Sequence, residues 1–379
     1  MKKQVLFLII CFLSFSVFAQ DAITTELQNA YQQRQYDAII AEHAAKINEY
    51  PAKAIYYVGM AYYMKSDDQN VIKLMDMSIG KDNSDPDAYY IKAMSLNYME
   101  QYPKAIEAFK TAIKLDDANA NYHSGLGDSY LNTGKYELAL SAYTAATEKE
   151  NHLDRPYAMI PQIYAELGKS EKALKAFYIS KEKVSKESSS YITALYNIGL
   201  YEYLNENYEA SEKALTELVT LAPEDFQSYT KLIQVFYAKK EYDKAKPYVE
   251  KLYKAYEQGV LKGVLKNMFC FDQFVWKDKR ILAYERFAEK EGELYYKHVF
   301  YVTGKDGNSE FTIQTENSPI SIEMGGPKYI LGMDKDGTHS TFKYGFEKDF
   351  NYVDLKKTVL VVLEGKVKPS ASSTKVKKQ

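Results

Sequence analysis

The sequence predicts a mainly α chain: a solenoid of about six to seven helical hairpins, followed by a small, mostly antiparallel β-rich α+β domain. Three observations lead there. Residues 87–146 hold one helical hairpin followed by a near copy of itself, offset by 34 residues. The same spacing recurs on either side of that pair. Beyond Tyr256 the apolar period changes from helical to alternating, with Asp-Gly turns.

The first copy runs Tyr89, Tyr90, Ala93 and Leu96, then Tyr102, Ala105, Phe109 and Ala112. The second runs Tyr122, Leu126, Gly127 and Tyr130, then Gly134, Tyr136, Ala139, Tyr143 and Ala146. A small residue, Ala93 or Gly127, sits where the second helix crosses the first. Glycine costs roughly 1 kcal/mol of helix propensity relative to alanine, so its use there answers a packing need. The second helix carries Ala105 or Ala139 and an aromatic four residues on, which share one helix face. Gly134 falls between the helices, where a helix end requires positive φ. Such a hairpin cannot bury its apolar face alone, and stacked neighbours bury it together. The constant offset separates this arrangement from an irregular helical bundle. The pattern resembles the tetratricopeptide repeat.

With Gly127 as reference, the matching positions are Gly59, Ala93, Gly127, Pro161, Gly199 and Ile233, in steps of 34, 34, 34, 38 and 34. A weaker capping unit with Leu27, Ala30, Tyr36 and Ala38 ends at Pro51. Pro161 removes a helical hydrogen bond, so the unit at 155–180 is expected to be distorted. The four extra residues before Gly199 fall in Lys181 to Ser190. They read as an extended second helix plus a loose loop, either a joint between two halves of the array or a surface insertion.

Residues 1–19 read as a cleaved, bacterial-type secretory signal: Lys2 and Lys3, an apolar run from Val5 to Phe18, and Ala19 at the cut. The run is short for a membrane span, so no integral span is expected after cleavage, and the protein is expected to be exported, periplasmic or secreted. Loss of Lys2 and Lys3 from 49 basic residues, against 51 acidic, leaves a net charge of −4. That balance argues against nucleic acid as a partner. Cys11 leaves with the signal, so Cys270 has no partner for an intrachain disulfide, and Met268-Phe269-Cys270-Phe271 suggests that it is buried.

The remaining boundaries follow from composition. Residues 20–257 form the repeat array and 258–278 an apolar bridge holding Cys270. Residues 279–365 form the β-rich domain, and 366–379 a lysine-rich tail read as disordered. Expected strands are Arg280–Phe287, Leu294–Thr303, Glu310–Thr315, Pro319–Glu323, Lys328–Met333 and Thr338–Tyr344. Gly304–Gly307 and Asp334-Lys335-Asp336-Gly337 mark hairpin turns. Residues 352–364 lean towards a helix with Leu355, Val359 and Leu363 on one face and Gly365 as its stop.

The sequence names no catalytic residue, metal site or cofactor. Asp334-Lys335-Asp336-Gly337 lacks the acids of a calcium loop, because Gly332 and Lys343 stand at the first and twelfth positions. Gly325-Gly326 is not followed by the Lys-Ser/Thr of a phosphate loop. His43, His123, His152, His298 and His339 lack metal-ligand spacing. Nothing brings Cys270 to a histidine as a nucleophile pair. Trp276, near Tyr284 and Tyr296, reads either as a sugar-stacking platform or as core.

The resemblance implies a non-enzymatic scaffold that binds a protein or peptide partner, with first helices lining a concave groove. The inward positions it implies are Tyr56, Met60 and Tyr63; Tyr90, Met94 and Asn97; Ser124, Asp128 and Leu131; Ala158, Gln162 and Ala165; Tyr196, Leu200 and Tyr203; and Thr230, Gln234 and Tyr237. The set is rich in Tyr and Met and poor in charge. It suits an extended, partly apolar peptide or a partner helix better than a terminal carboxylate. Two alternatives stand beside this reading. The repeats are a targeting arm for a ligand-binding or enzymatic C-terminal domain, or the chain is a structural part of a secretion or assembly complex.

Overall fold

The structure, a computed structural model, describes residues 22–149, 153–287, 298–304, 306–317, 329–346 and 352–374. The expected signal at 1–19, the expected strand Pro319–Glu323 and the start of the strand expected at Leu294–Thr303 lie outside them. The chain divides into two compact units at Ala194/Leu195. Among the described residues, no helix is long and apolar enough to cross a membrane.

The first unit is built from paired helices: α1 (22–32), α2 (Tyr36–His43), α3 (Ala52–Met64), α4 (Asp68–Lys81), α5 (Pro86–Tyr98), α6 (Tyr102–Leu115), α7 (Ala120–Asn132), α8 (Tyr136–Thr147), α9 (Asp154–Glu166) and α10 (Ser170–Lys183). Within this unit, from α3 onward each odd helix pairs with the next, and the hairpins stack through α4–α5, α6–α7 and α8–α9. The small positions do what their spacing predicts. A Cβ on Gly59 would lie 2.2 Å from Met75 Cε, and one on Gly127 2.8 Å from the Tyr143 ring. A Cβ on Gly125 would lie 2.4 Å from Phe109 of the preceding hairpin.

The turns inside the hairpins are left-handed throughout, yet glycine serves only two of them in this unit. Gly134 (φ 69°) and Gly168 (φ 68°) share the position with Arg34 (60°), Ser66 (58°) and Glu100 (59°). Each turn closes the same way, as where Lys135 N–H donates to Tyr130 O at 2.9 Å and Gln101 N–H to Leu96 O at 2.8 Å.

Two expectations need correction. α9 runs through Pro161 to Glu166 without a break; the proline is buried, and stacking on both neighbouring helices offsets its roughly 3 kcal/mol propensity cost. The extra residues near 181–190 do not lengthen α10, which has the same 14 residues as α6. They make a closed serine turn, with Ser188 N–H and Oγ both donating to Ser185 O, and they lengthen α11 (Ser189–Leu204) to 16 residues.

The second unit holds most of α11, then α12 (Tyr208–Leu221), α13 (Phe226–Ala238) and α14 (Tyr242–Glu257). A Cβ on Gly199 would meet Leu215 at 2.5 Å, repeating the crossing of the first unit. A seven-stranded antiparallel sheet follows in sequence order: β1 (Met268–Trp276), β2 (Lys279–Arg286), β3 (His298–Thr303), β4 (Ser309–Asn317), β5 (Tyr329–Lys335), β6 (Thr338–Phe346) and β7 (Ala371–Thr374). Helix α15 (Tyr352–Leu363) lies between β6 and β7 in the chain and ends before Gly365, whose φ is 67°.

The β5–β6 turn has Asp336 at φ 51° and Gly337 at φ 75°, the paired positive angles that an Asp-Gly hairpin demands. The stretch read as a bridge is instead the first strand: β1 pairs with β2 and packs on α13. The tail is likewise ordered in part. Ala371–Thr374 pairs with β6, and Ser370 N–H donates to Thr341 O at 2.7 Å. Backbone groups of an unpaired edge recruit a strand without needing apolar side chains.

Candidate functional site

Helices α3 and α5 present one continuous patch of rings and thioethers. Tyr56, Met60 and Tyr63 from α3, with Tyr90 from α5, are half-buried around Val71, Met75, Ala88 and Ile91. Tyr90 and Met94 also pack around Ala93, Leu96 and Phe109. The Tyr90 ring lies 5.2 Å from Tyr122 and 6.0 Å from Phe109. Lys53 Nζ sits 4.1 Å above the Tyr56 ring and 2.7 Å from Asp85.

These hydroxyls stay protonated. Burial, followed by the nearby carboxylates of Asp87 and Asp85, raises the Tyr56 pKa. Burial first, then Tyr63 and Asp128, pushes Tyr90 up to about 12. Burial also raises Tyr63. The patch therefore offers apolar faces edged by neutral hydroxyls.

The remaining first-unit positions are mostly committed to the chain itself. Asn97 Oδ1 accepts from Ser129 Oγ at 2.9 Å. Asp128 accepts from Arg155 Nε at 2.8 and 2.9 Å and from the Tyr143 hydroxyl. Leu131 packs against Ala139, Tyr143 and Ile163. Ser124 is buried, and Ala158, Gln162 and Ala165 are half-buried. The sequence reading missed three exposed apolar residues on the same two helices. Met64 (47% exposed), Tyr98 (70%) and Met99 stand open at the ends of α3 and α5. Their signal was an apolar residue next to a hairpin turn, where a solvated side chain is usual.

The last repeats differ. Gln234 Nε2 donates to Cys270 O of β1 at 2.9 Å. The Tyr237 ring lies 5.1 Å from Phe271 and 5.2 Å from Tyr352. Tyr203 and Thr230 are buried, while Tyr196 and Leu200 are half-buried. The chain's own β1 and α15 thus cover much of the inward face of α13, leaving Tyr237 half-buried. The register shifts between Cys270 and Asp272, at Phe271, whose ring meets Tyr237.

The sheet carries a polar network that sequence spacing did not suggest. His339 lies between Asp334 Oδ1 (2.7 Å) and Glu316 Oε2 (3.1 Å). Gln314 Nε2 donates to Glu316 Oε1 and to Asp334 Oδ2. Glu316 is 1% exposed, and its burial raises its pKa. A Cβ on Gly332 would lie 1.8 Å from its carboxylate, so that glycine makes room for it. Among the described residues, no group of three or more His, Cys, Asp or Glu is arranged to hold a metal ion. Cys270 is free and half-buried, and burial pushes its thiol up to about 11, away from the thiolate that nucleophilic chemistry needs.

Residues 95–134 match a family model described as TPR repeat, and residues 196–260 one described as tetratricopeptide repeat. No curated protein matches the chain. Among solved structures, the chain is similar to the C-terminal part of a TPR repeat-containing protein from Cytophaga hutchinsonii, at 18% identity over 54% of this chain and 80% of that one, with a TM-score of 0.46. It is similar to PilF from Pseudomonas aeruginosa at 16% identity, over 54% and 92% of the two chains, TM-score 0.43. It is also similar to MamA from Desulfovibrio magneticus RS-1 at 17% identity, over 46% and 96%, TM-score 0.40. The two matched stretches fall on α5–α7 and α11–α14, whose glycine crossings and left-handed turns are those described above, and these two stretches carry tetratricopeptide repeats within a TPR-like helical solenoid.

Proposed function

We propose that this chain is a non-enzymatic protein–protein interaction scaffold of the bacterial cell envelope. Its partner is an extended, partly apolar peptide or a helix, held against α3 and α5. One observation carries the reading: Tyr56, Met60, Tyr63, Tyr90 and Met94 form a single half-buried patch. Tyrosine supplies large contact area with little side-chain entropy to lose, and methionine adapts to irregular apolar surfaces. The polar neighbours Asn97 and Asp128 are engaged within the chain, so they leave recognition to the rings. Export is supported by the Lys2-Lys3 start and the apolar run before Ala19.

The test replaces Tyr63 and Tyr90 together by alanine and repeats a crosslinked pull-down from the protein's own cells. Helicity and melting must first match the parent. Loss of the captured partner is expected. Capture at the parent's level would mean that the patch is not the binding site.

A further inference from the structure

We infer that the second unit carries a carbohydrate-binding site in the cavity where the last two repeats meet the start of the sheet. The cavity has a volume of about 720 Å³, within the range of pockets that enclose a small ligand. Every residue lining it belongs to the second unit. It is separate from the tyrosine patch on α3 and α5.

Its walls are aromatic. Tyr203, Tyr208, Tyr237 and Tyr242 come from the hairpin-turn ends of α11 to α14, and Phe274 comes from β1. The repeat geometry explains why four tyrosines converge. Tyr203 and Tyr237 are equivalent positions near the ends of first helices, and Tyr208 and Tyr242 begin the second helices. The Tyr203 and Tyr208 rings lie 5.7 Å apart, and the Tyr237 and Tyr242 rings 5.2 Å apart.

Polar groups of both kinds face these rings. Asp272 lines the cavity and is only 2% exposed. Its Oδ2 accepts from Lys356 Nζ at 2.8 Å and from the Tyr352 hydroxyl. The Arg280 guanidinium gives one N–H to Gln273 Oε1 and keeps further donors, as the guanidinium has five. Charge nearly cancels, with Lys240, Arg280 and Lys356 against Glu206 and Asp272, and Lys356 and Asp272 already pair.

This combination selects against a strongly charged ligand and for a neutral one with many hydroxyls. A sugar hydroxyl both donates and accepts, so one molecule bonds the Asp272 carboxylate and the remaining Arg280 donors together. The C–H faces of a pyranose match the faces of tyrosine rings, which carry an apolar body and a polar edge.

The experiment offers maltotriose, cellotriose, xylotriose and triacetylchitotriose separately to the full chain. Binding is read by saturation-transfer NMR and titration calorimetry. At least one trisaccharide is expected to bind with a Kd of about 1 mM or tighter. Arg280→Ala and Tyr208→Ala, both at the rim, should each weaken that binding about tenfold or more while leaving the melting temperature unchanged. If one variant fails to fold, the other decides. The inference is overturned if no trisaccharide gives saturation transfer at about 10 mM. It is equally overturned if the folded variants bind as the parent does.

Discussion

The side-chain amide of Gln234 on α13 donates to the backbone carbonyl of Cys270 on β1 at 2.9 Å. Around that bond, Tyr237 meets Phe271 and Tyr352. The inward face of the last repeat is thus filled by the strand that follows it. A fragment ending at residue 257 loses this cover. We expect it to keep a helical circular dichroism spectrum, melt below the full chain and self-associate in light scattering. A strong β signal, or a melting temperature equal to the parent's, would contradict the account. Gln234→Ala in the full chain should cost about 1 kcal/mol, because it removes a part-buried hydrogen bond to the strand. Limited proteolysis separately tests the boundary expected between Tyr256 and Lys279.

Two helical glycines should respond to alanine with opposite sign. At Gly127 a new Cβ would meet the Tyr143 ring at 2.8 Å. That ring is fully buried and its hydroxyl is bonded to Asp128, so it has nowhere to swing. Gly127→Ala should destabilise by about 1–2 kcal/mol despite better helix propensity. At Gly80 a Cβ meets nothing within 4 Å, and Gly80→Ala should stabilise by about 0.5–1 kcal/mol. Chemical denaturation of both variants checks the pair; equal signs would contradict the crossing argument.

Glu100 holds a left-handed backbone at φ 59° in a turn where Gly134 and Gly168 do the same work in their hairpins. A side chain there costs about 1 kcal/mol, partly offset by the greater chain entropy of glycine when unfolded. Glu100→Gly should raise stability by about 0.5 kcal/mol, whereas Gly134→Ala should lower it by about 1 kcal/mol. Urea midpoints at constant m-value give both numbers.

Alkaline pH should unfold the chain cooperatively. Burial, then neighbouring Tyr63 and Asp128, lifts Tyr90 from 10.0 to about 12, and burial lifts Cys270 from 9.0 to about 11. Tyr122, Tyr143, Tyr203 and Tyr237 are raised too, burial being the first cause in each. The folded state then holds more protons than the unfolded state between the two sets of values. Stability is therefore full below about pH 9 and falls as pH rises towards about 12. Melting temperature should stay level up to about pH 9 and drop above it, with phenolate absorbance rising as helicity is lost. Ionisation of nearly all the tyrosines near pH 10 with helicity intact would contradict the burial described.

Legibility in the sequence followed how local the deciding contact is. The Gly127–Tyr143 crossing and the Asp336-Gly337 turn lie within one hairpin, so spacing alone exposed them. β1 was hidden because its alternation breaks at the bulge at Phe271. β7 was hidden for a different reason. Ala-Ser-Ser-Thr shows no apolar alternation in the sequence, yet it pairs antiparallel with β6. The inward set split on the same grounds. Tyr56, Tyr63 and Tyr90 are placed by their own and the adjoining repeats, whereas Tyr203 and Tyr237 lie in a setting completed by the sheet. The network of Gln314, Glu316, Asp334 and His339 assembles across three strands, which residue spacing does not display.

The central claim is that a partner lies on the α3–α5 patch, and a photo-crosslinking residue tests it most directly. It is placed in turn at Tyr63, at Lys110 on the exposed side of α6, and at Tyr237 beneath β1, and irradiated in the protein's own cells. The account predicts one discrete protein adduct from position 63 and none from 110 or 237. An adduct from 110 or 237 with none from 63 would contradict it.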